Sequence, residues 1–383
     1  MKIIIKLIFF VLFITVLATV IAYARGYRLD IENRSVKSTG IISATSSPKA
    51  AKIYVNGELK GVTDTNLTLP PENYLVEIKK EGYTSWSKKI NLKGELVINV
   101  DPVLFPINPS LSPLTNLGII KAVPTEDGDR IVVFASGSAY LFDAGKKTLP
   151  FFPPLNKIVD LSLISNIVDF KDIKVTFSPD QKQAIISSQG EPESSYLLSL
   201  EENNLDPLEV TLSKEVLIQA WQTEKNKNFI KILETFPKDF DKIASSSFDI
   251  ISFSPNETKV LYKAKESVKL PLMINPPLIA TNQTPEERSI IKEKIYVYDR
   301  KEDKNFQLLY PNLKWYFDSR HFVIEEGKKI SIVDYDNTNK QTIYSGPFES
   351  SFFNTTNDGK IVVLINLNSQ VNELPDLYLV GIR

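Results

Sequence analysis

The chain begins with one long apolar run and continues with many short ones, and this contrast predicts one helix followed by a β-rich remainder. Leu7 to Ala24 is an uncharged, almost wholly apolar segment. As a helix it spans about 27 Å at roughly 1.5 Å per residue, which is close to the hydrocarbon thickness of a bilayer. After Gly40, short apolar runs and stretches of apolar–polar alternation recur between turn residues, a pattern typical of strands.

The long apolar run predicts a membrane anchor over residues 1–25, with its membrane-spanning ends at Leu7 and Ala24. Charged residues flank both ends, namely Lys2, Lys6, Arg25 and Arg28. Ala22-Tyr23-Ala24 also has the small-x-small form that signal peptidase recognises, so a secreted protein cleaved after Ala24 stays an alternative. We favour the uncleaved anchor because the run is longer than a usual signal-peptide core.

The orientation of this single-pass anchor is less strongly encoded. Lys2 and Lys6 precede the span, whereas Arg25, Arg28 and Arg34 follow it, so the positive charges are almost balanced. The β-rich bulk that follows favours a cytoplasmic N-terminus and an extracytoplasmic bulk. Residues 26–39 are polar without a clear period and are interpreted as a stalk.

Residues 40–101 predict a small β-sandwich-like domain built from short strands. Ile53 to Val55 form a strand run that Asn56-Gly57 follows at once. Asn-Gly in this position predicts a type I′ hairpin, because both central residues must accept a positive φ. Tyr74, Val76 and Ile78 alternate with Leu75, Glu77 and Lys79, a pattern that predicts a short strand.

The order of these elements resembles the PEGA domain family. The matching positions are Pro48, Tyr54, Asn56, Gly57, Gly61, Thr63, Tyr74, Gly82 and Tyr83. Ala50, Asp64 and Glu72 depart from the family pattern, since they stand where the family has glycine, proline and glycine. The resemblance implies a small extracytoplasmic β-domain, often attached to membrane-spanning segments, with no known catalytic residues. Most of its motif residues are interpreted as turn and packing positions.

Residues 102–117 form a proline-rich linker, and residues 118–383 carry a repeated pattern of polar turn, apolar strand, loop and second strand. The repeats resemble TolB-like and WD-repeat propellers, in which Ser-Pro-Asp-Gly-Lys precedes an apolar strand. The matching turn residues are Ser178, Pro179, Asp180, Ser254, Pro255, Asn256, Trp315, Asp318, Asp358 and Gly359. The resemblance implies a β-propeller-like domain of five to seven repeats, and another sandwich or a solenoid stays an alternative.

Composition narrows the possible chemistry. Lys and Arg total 45 against 46 Asp and Glu, which gives a net charge of -1. The chain therefore lacks an overall positive electrostatic field that would attract nucleic acid. The chain has no cysteine, which excludes thiolate metal sites and cysteine nucleophiles. His321 is the one histidine, and it follows Asp318-Ser319-Arg320 in a repeat turn. We interpret it as a partly packed strand residue and expect no catalytic residue, metal or cofactor.

The function predicted from these features is a membrane-anchored, extracytoplasmic binding or scaffold protein of the cell envelope. Its expected partners are the lipid bilayer, through the N-terminal helix, and an envelope protein or a glycan. The alternative is a propeller-type hydrolase anchored at the cell surface. That alternative requires acidic residues from different repeats to converge at one site, and a sequence alone cannot exclude this arrangement.

Overall fold

The computed structural model describes residues 2–24, 27–30, 35–144, 155–164, 172–188, 193–349, 352–367, 370 and 373–382. The chain divides into two compact units. Unit 1 contains residues 1–105 and 274–285, and unit 2 contains residues 106–273 and 286–383. The mainly β fold class predicted from the sequence is confirmed.

Unit 1 begins with helix α1 (Lys2–Ala24). The segment Ile4–Tyr23 has a mean hydropathy of 2.9, and none of it is buried by the rest of the protein. The helix is therefore long and apolar enough, by length and composition, to cross a membrane. A single apolar helix near the N-terminus fits a single-pass anchor and equally fits a signal sequence.

The rest of unit 1 is a two-layer β-structure. Its strands are β1 (Arg28–Asp30), β2 (Ser35–Lys37), β3 (Gly40–Ala44), β4 (Lys52–Val55), β5 (Glu58–Val62), β6 (Thr65–Leu69), β7 (Glu72–Lys79), β8 (Trp86–Leu92) and β9 (Val97–Val100). One sheet has the order β6-β3-β9 and the other β5-β4-β7-β8, while β1 pairs with β2. Alternating side chains give each larger sheet one buried face, so residues such as Ile42, Ile53 and Val76 share one core.

Unit 2 begins with β10 (Ser110–Pro113), β11 (Ile119–Pro124), β12 (Arg130–Ala135), β13 (Ser138–Asp143), β14 (Leu155–Asp160), a 3₁₀ turn (Leu161–Leu163), β15 (Lys174–Phe177), β16 (Gln183–Ser187), β17 (Ser195–Ser199) and β18 (Leu208–Glu209). Helices α2 (Lys214–Leu233) and α3 (Lys238–Ser247) follow. The remaining strands are β19 (Phe248–Phe253), β20 (Lys259–Ala264), β21 (Val268–Lys269), β22 (Ser289–Ile290), β23 (Ile295–Asp299), β24 (Lys304–Leu308), β25 (Leu313–Trp315), β26 (His321–Glu325), β27 (Lys329–Asp334), β28 (Gln341–Ser345), β29 (Phe353–Thr355), β30 (Ile361–Ile365) and β31 (Asp376–Gly381).

These strands form five antiparallel four-stranded sheets, which we call blades 1 to 5. Blades 1 and 2 are β11–β14 and β15–β18, blade 3 is β19-β20-β23-β24, and blade 4 is β25–β28. Blade 5 has the order β10-β31-β30-β29, so the first strand of the unit completes its last sheet. The inner strands are apolar on both faces, and shared cores join blade 1 to blades 2 and 5 and join blade 3 to blade 4. This is a propeller-like arrangement of radially repeated sheets.

The two helices between blades 2 and 3 were not predicted from the sequence. Helix α3 buries Phe240, Ala244 and Ser247, which recur at the spacing of one helical face. The Phe240 ring stacks on Tyr298 of blade 3 at 4.0 Å between centroids, and Phe248 stacks on Tyr262 at the same distance. The helical insertion is therefore fixed to blade 3 by an aromatic cluster.

Candidate functional site

Each blade has one turn of the same backbone design, and these turns join β11 to β12, β15 to β16, β19 to β20, β25 to β26 and β29 to β30. The fourth residue of each turn has a left-handed backbone, namely Gly128 (φ +78°), Gln181 (+59°), Glu257 (+56°), Ser319 (+61°) and Gly359 (+82°). In blade 2, Ser178 Oγ donates to Asp180 Oδ1 at 2.6 Å and accepts from Gln183 N at 2.9 Å. These side-chain bonds satisfy backbone groups inside the turn, which explains why serine and aspartate stand at those positions.

Equivalent hydroxyl bonds occur in three other blades. Thr125 pairs with Asp127, Ser254 with Asn256, and Thr356 with Asp358. Pro179 and Pro255 follow the hydroxyl residue in blades 2 and 3, where their fixed φ suits the first corner of a turn. The polar turn residues noted in the sequence thus have a structural role inside their own turns.

Blade 4 has Tyr316 where the other blades have serine or threonine, so different side chains form the hydrogen bonds of its turn. Asp318 Oδ2 lies 2.6 Å from His321 Nδ1, and Asp334 Oδ1 lies 3.2 Å from His321 Nε2. Burial alone lowers the pKa of His321, but hydrogen bonds to Asp318 and Asp334 outweigh it and raise the pKa to about 9. His321 is therefore a buried imidazolium between two carboxylates. The expectation of a partly packed ring was wrong, because its side chain is almost wholly buried.

The left-handed residue of four turns contacts the preceding blade. Gly128 O accepts from Asn354 Nδ2 at 2.6 Å, and Gln181 Oε1 accepts from Glu126 N at 3.1 Å. Ser319 Oγ accepts from Asn256 N at 3.0 Å, and Gly359 O accepts from the Tyr316 hydroxyl at 2.7 Å. These bonds link blade 1 to blades 5 and 2, and they link blade 4 to blades 3 and 5.

Glu257 of blade 3 is the exception, since it is exposed and makes no such side-chain bond within the described part of the chain. Blade 2 precedes blade 3, and helix α2 is inserted between them. Phe229 of α2 meets the Phe253 ring edge-on at 5.4 Å between centroids. Lys225 of α2 bonds Glu126 of blade 1 at 2.6 Å. Helix α2 thus contacts blades 1 and 3 near their turns.

A cavity of about 720 Å³ lies among α2 and the turn ends of blades 1, 3, 4 and 5. We call it the turn-end cavity. Its lining residues are 124–128, 225, 229, 232, 251–255, 257, 313–315, 317 and 354–357. This volume is in the range of roughly 300–1,000 Å³ that is typical of small-molecule sites. The turn-end cavity is therefore the candidate functional site.

Aromatic and charged side chains share the wall of the turn-end cavity. Phe229, Phe253, Trp315 and Phe317 supply aromatic surface. The Trp315 ring packs on Phe322 with centroids 4.0 Å apart and a tilt of 36°. Its buried Nε1 has no hydrogen-bond partner among the residues that the structure describes. A mixed wall of aromatic rings and a few polar groups is the usual composition of a binding pocket.

Lys314 is the half-buried cation of this wall. Its Nζ donates to Phe353 O at 2.6 Å and lies 4.6 Å from the centroid of the Phe353 ring. Burial lowers the pKa of Lys314 to about 8. In contrast, the other lining cation, Lys225, is paired with Glu126.

Only some of the residues singled out in the sequence reach this site. Ser254, Pro255 and Trp315 line the turn-end cavity, whereas Asp318, Asp358 and Gly359 do not. The blade 2 turn residues Ser178, Pro179 and Asp180 and the blade 3 residue Asn256 also lie outside its lining.

Several lining residues were missed by sequence reasoning. Asp127-Gly128 directly before an apolar strand was a local signal for the blade 1 turn that could have been used. Lys225 and Phe229 carried no such signal, because their helix was not predicted. Across the described residues, no group of three or more His, Asp or Glu side chains is placed to hold a metal ion.

The PEGA-like positions lie in the turns and core of unit 1. Asn56 and Gly57 both have a positive φ, as a type I′ hairpin requires, and Gly82 has a φ of +78°. The Tyr74 hydroxyl donates to Pro70 O at 2.9 Å, and Thr63 Oγ1 accepts from Ala51 N at 3.0 Å. Pro48, Tyr54, Gly61 and Tyr83 lie on the same two-layer structure. These positions support turns and packing.

Comparison with solved structures finds matches at low identity. A candidate TolB from Agrobacterium tumefaciens is 14% identical over 67% of this chain and 76% of that one, with a TM-score of 0.23. An acylaminoacyl peptidase from Pyrococcus horikoshii is 9% identical over 70% and 38%, with a TM-score of 0.19. PorZ, a bacterial surface component of the type-IX secretion system of Porphyromonas gingivalis, is 8% identical over 86% and 37%, with a TM-score of 0.22. This chain spans well under two thirds of the last two proteins.

Sequence comparison gives a more specific result for unit 1. A search among curated proteins finds no match to the chain. Residues 39–108, however, match the PEGA domain family, and this range includes the two-layer structure from β3 to β9. The resemblance seen in the sequence is confirmed, and the protein carries a PEGA domain that follows its N-terminal apolar helix in the chain.

Proposed function

We propose that this protein is a membrane-anchored, extracytoplasmic binding protein of the cell envelope, and that unit 2 binds a small ligand in the turn-end cavity. The observation that carries the proposal is the cavity itself, which combines a suitable volume with aromatic and charged walls. Helix α1 supports the anchor because its apolar segment is long enough to span a bilayer. The PEGA domain supports an extracytoplasmic location through its usual context.

The site is proposed to bind rather than to catalyse. His321 is the one histidine of the chain, and it is held between Asp318 and Asp334 outside the lining of the turn-end cavity. A histidine base at this cavity would need to reach a bound substrate within hydrogen-bond distance. Histidine-dependent catalysis at the turn-end cavity therefore has little support.

The location can be tested with one cysteine, because the natural chain has none. Lys242 on α3 has a side chain that is 77% exposed, so Lys242→Cys provides an accessible thiol. We expect a membrane-impermeant maleimide to label this variant on intact cells, and the labelled protein to need detergent for extraction. Labelling only after lysis would contradict the proposed orientation, and release without detergent would favour the cleaved, secreted form.

Binding can be tested with 5-fluorotryptophan, because the chain has three tryptophans. Trp315 lines the turn-end cavity, whereas Trp86 lies in β8 of unit 1 and Trp221 lies in α2 outside the lining. Full-length protein in lipid nanodiscs would be screened against small aromatic fragments by fluorine NMR. We expect some fragments to shift the Trp315 resonance selectively. A screen in which no fragment does so would contradict binding at this cavity.

A hydrolase is the second candidate, and one observation favours it. Glu126 and Asp127 of blade 1 line the same cavity as Glu257 of blade 3, so acidic residues from different blades do converge. Glu126 is neutralised by Lys225, which leaves Asp127 and Glu257 as the candidate carboxylates. If this alternative holds, Glu257→Gln abolishes turnover of a fluorogenic peptide or glycoside while leaving fragment binding unchanged. Absence of turnover in the unmodified protein would exclude these substrate classes.

A further inference from the structure

We propose that the ligand of the turn-end cavity carries an anionic oxygen group, a carboxylate or a phosphate, which binds the Lys314 ammonium beside the aromatic wall. This inference rests on the proposed binding function and names the chemical class of its ligand. It follows from the positions of the charged side chains around the cavity and from the bonds that Lys314 does and does not make.

The charges of the turn-end cavity differ between its rim and its wall. The charged lining residues are Glu126, Asp127, Lys225, Glu257 and Lys314. The three acidic side chains are exposed, so they belong to the rim. Lys225 pairs with Glu126 across 2.6 Å, and Asp127 Oδ1 already accepts from Thr125 Oγ1. Of these rim carboxylates, Glu126 is therefore compensated by a cation, whereas the Thr125 hydroxyl satisfies Asp127 Oδ1 without removing its charge.

Lys314 lacks such compensation. Its bonds are to the neutral carbonyl of Phe353 and to the face of the Phe353 ring. No carboxylate pairs with it among the residues that the structure describes. An ammonium carries three N–H donors, so donors remain beyond the one given to Phe353 O. A half-buried cation without a counter-ion is unfavourable, and a ligand anion would supply the missing charge.

The neighbouring surface fixes the second part of the ligand. Phe229, Trp315 and Phe317 line the same cavity as Lys314. Trp315 follows Lys314 in β25, so its ring leaves the opposite face of the strand, where it contacts Phe322. Aromatic walls favour flat or apolar groups through burial and ring contacts. A ligand with an acidic group attached to an aromatic or apolar body would satisfy both parts of the wall. Burial lowers the pKa of Lys314 to about 8, and binding of an anion would stabilise its charged form.

The test uses three probes on full-length protein in nanodiscs carrying 5-fluorotryptophan. N-acetylphenylalanine and phenyl phosphate present the two anion types, and N-acetylphenylalanine amide is the neutral control. We expect an acid to shift the Trp315 resonance at millimolar concentration and the amide to bind about 10- to 100-fold more weakly, as expected for loss of a charge-assisted bond. The relative affinity of the two acids distinguishes a carboxylate site from a phosphate site.

Substitutions at Lys314 separate charge from shape. Lys314→Met should weaken acid binding to the level of the amide, whereas Lys314→Arg should preserve it. In the unmodified protein, acid binding should weaken as the pH rises through and above about 8 and the ammonium is lost. Lys314→Arg should remove this dependence because arginine stays charged. Lys242→Met, at an exposed position of α3, is the matched lysine control and should change nothing.

The possible outcomes test the anionic ligand and the binding function of the cavity separately. Equal binding of acid and amide, or acid binding that survives Lys314→Met with no pH dependence, would overturn the anionic ligand while leaving the cavity as a binding site. A set of probes and fragments that never moves the Trp315 resonance would overturn both. Selective acid binding that requires a positive charge at residue 314 would support both.

Discussion

Replacing His321 by alanine should destabilise unit 2 strongly. The imidazolium lies between Asp318 and Asp334, whose side chains are only 9% and 13% exposed. Alanine would leave two buried carboxylates without their shared counter-ion. Removing one partner of a buried ion pair typically costs about 3–5 kcal/mol. The expected loss for His321→Ala is in this range.

The contact of His321 with the two carboxylates also makes the stability of unit 2 depend on pH. The pKa of His321 rises from 6.5 in the unfolded chain to about 9 in the folded protein. The folded state therefore binds the extra proton more tightly, and its stabilisation is complete below pH 6.5 and is lost as the pH rises through 9. A shift of this size corresponds to about 3 kcal/mol.

Lys314 contributes with the opposite sign. Its pKa falls from 10.5 to about 8 on folding, so stability gains as the pH rises between these values. The measurement must therefore compare the unmodified protein with His321→Gln, whose amide has a similar shape but does not titrate. Denaturant unfolding would be followed at the 5-fluoro-Trp315 resonance, which reports on unit 2. Parallel stability curves for the two proteins from pH 6.5 to 9 would refute the account of His321.

Three backbone substitutions give further tests, all by thermal unfolding of the full-length protein. Ala50 has a φ of +58° where the PEGA family has glycine, so Ala50→Gly should stabilise unit 1 by up to about 1 kcal/mol, and a lower unfolding temperature would contradict this. Gly82→Val should cost about 1 kcal/mol or more, since φ is +78° but no atom lies near the added Cβ. Gly128→Ala should cost more stability, because its φ is equally positive and its Cβ would lie 2.4 Å from Thr355 O. Equal losses of stability at the two glycines would contradict this, since they would show that the contact with Thr355 O relaxes easily.

Local signals allowed much of the fold to be predicted. Asn56-Gly57 encodes a hairpin in two adjacent residues, and Ser178 to Asp180 encode a turn whose bonds stay within the turn. The apolar strands of unit 2 are buried on both faces, so their runs are visible without knowledge of their neighbours. The number of repeats was left between five and seven, and the described part of unit 2 has five four-stranded sheets.

The candidate site could not be predicted because its residues meet only in three dimensions. Lys225, Trp315 and Thr355 are far apart in the chain yet line one cavity. Helix α2 was missed because most of its surface is exposed and only a narrow face contacts the blades. The burial of His321 was also underestimated, since Asp334 lies in the neighbouring strand and its contact with the ring carries no local sequence signal.

Binding of a ligand in the turn-end cavity outside the cytoplasm can be tested by one labelling measurement. Thr355→Cys places a thiol in the lining of the cavity, and Lys242→Cys places one at an exposed position of α3 as the control. The reaction rate of each thiol with an impermeant maleimide would be measured on intact cells and on purified protein. We expect Cys at 242 to react equally fast in both settings, and Cys at 355 to react several times more slowly on cells because ligand occupies the cavity. Equal rates for Cys at 355 in both settings, or a control that reacts only after lysis, would contradict the account.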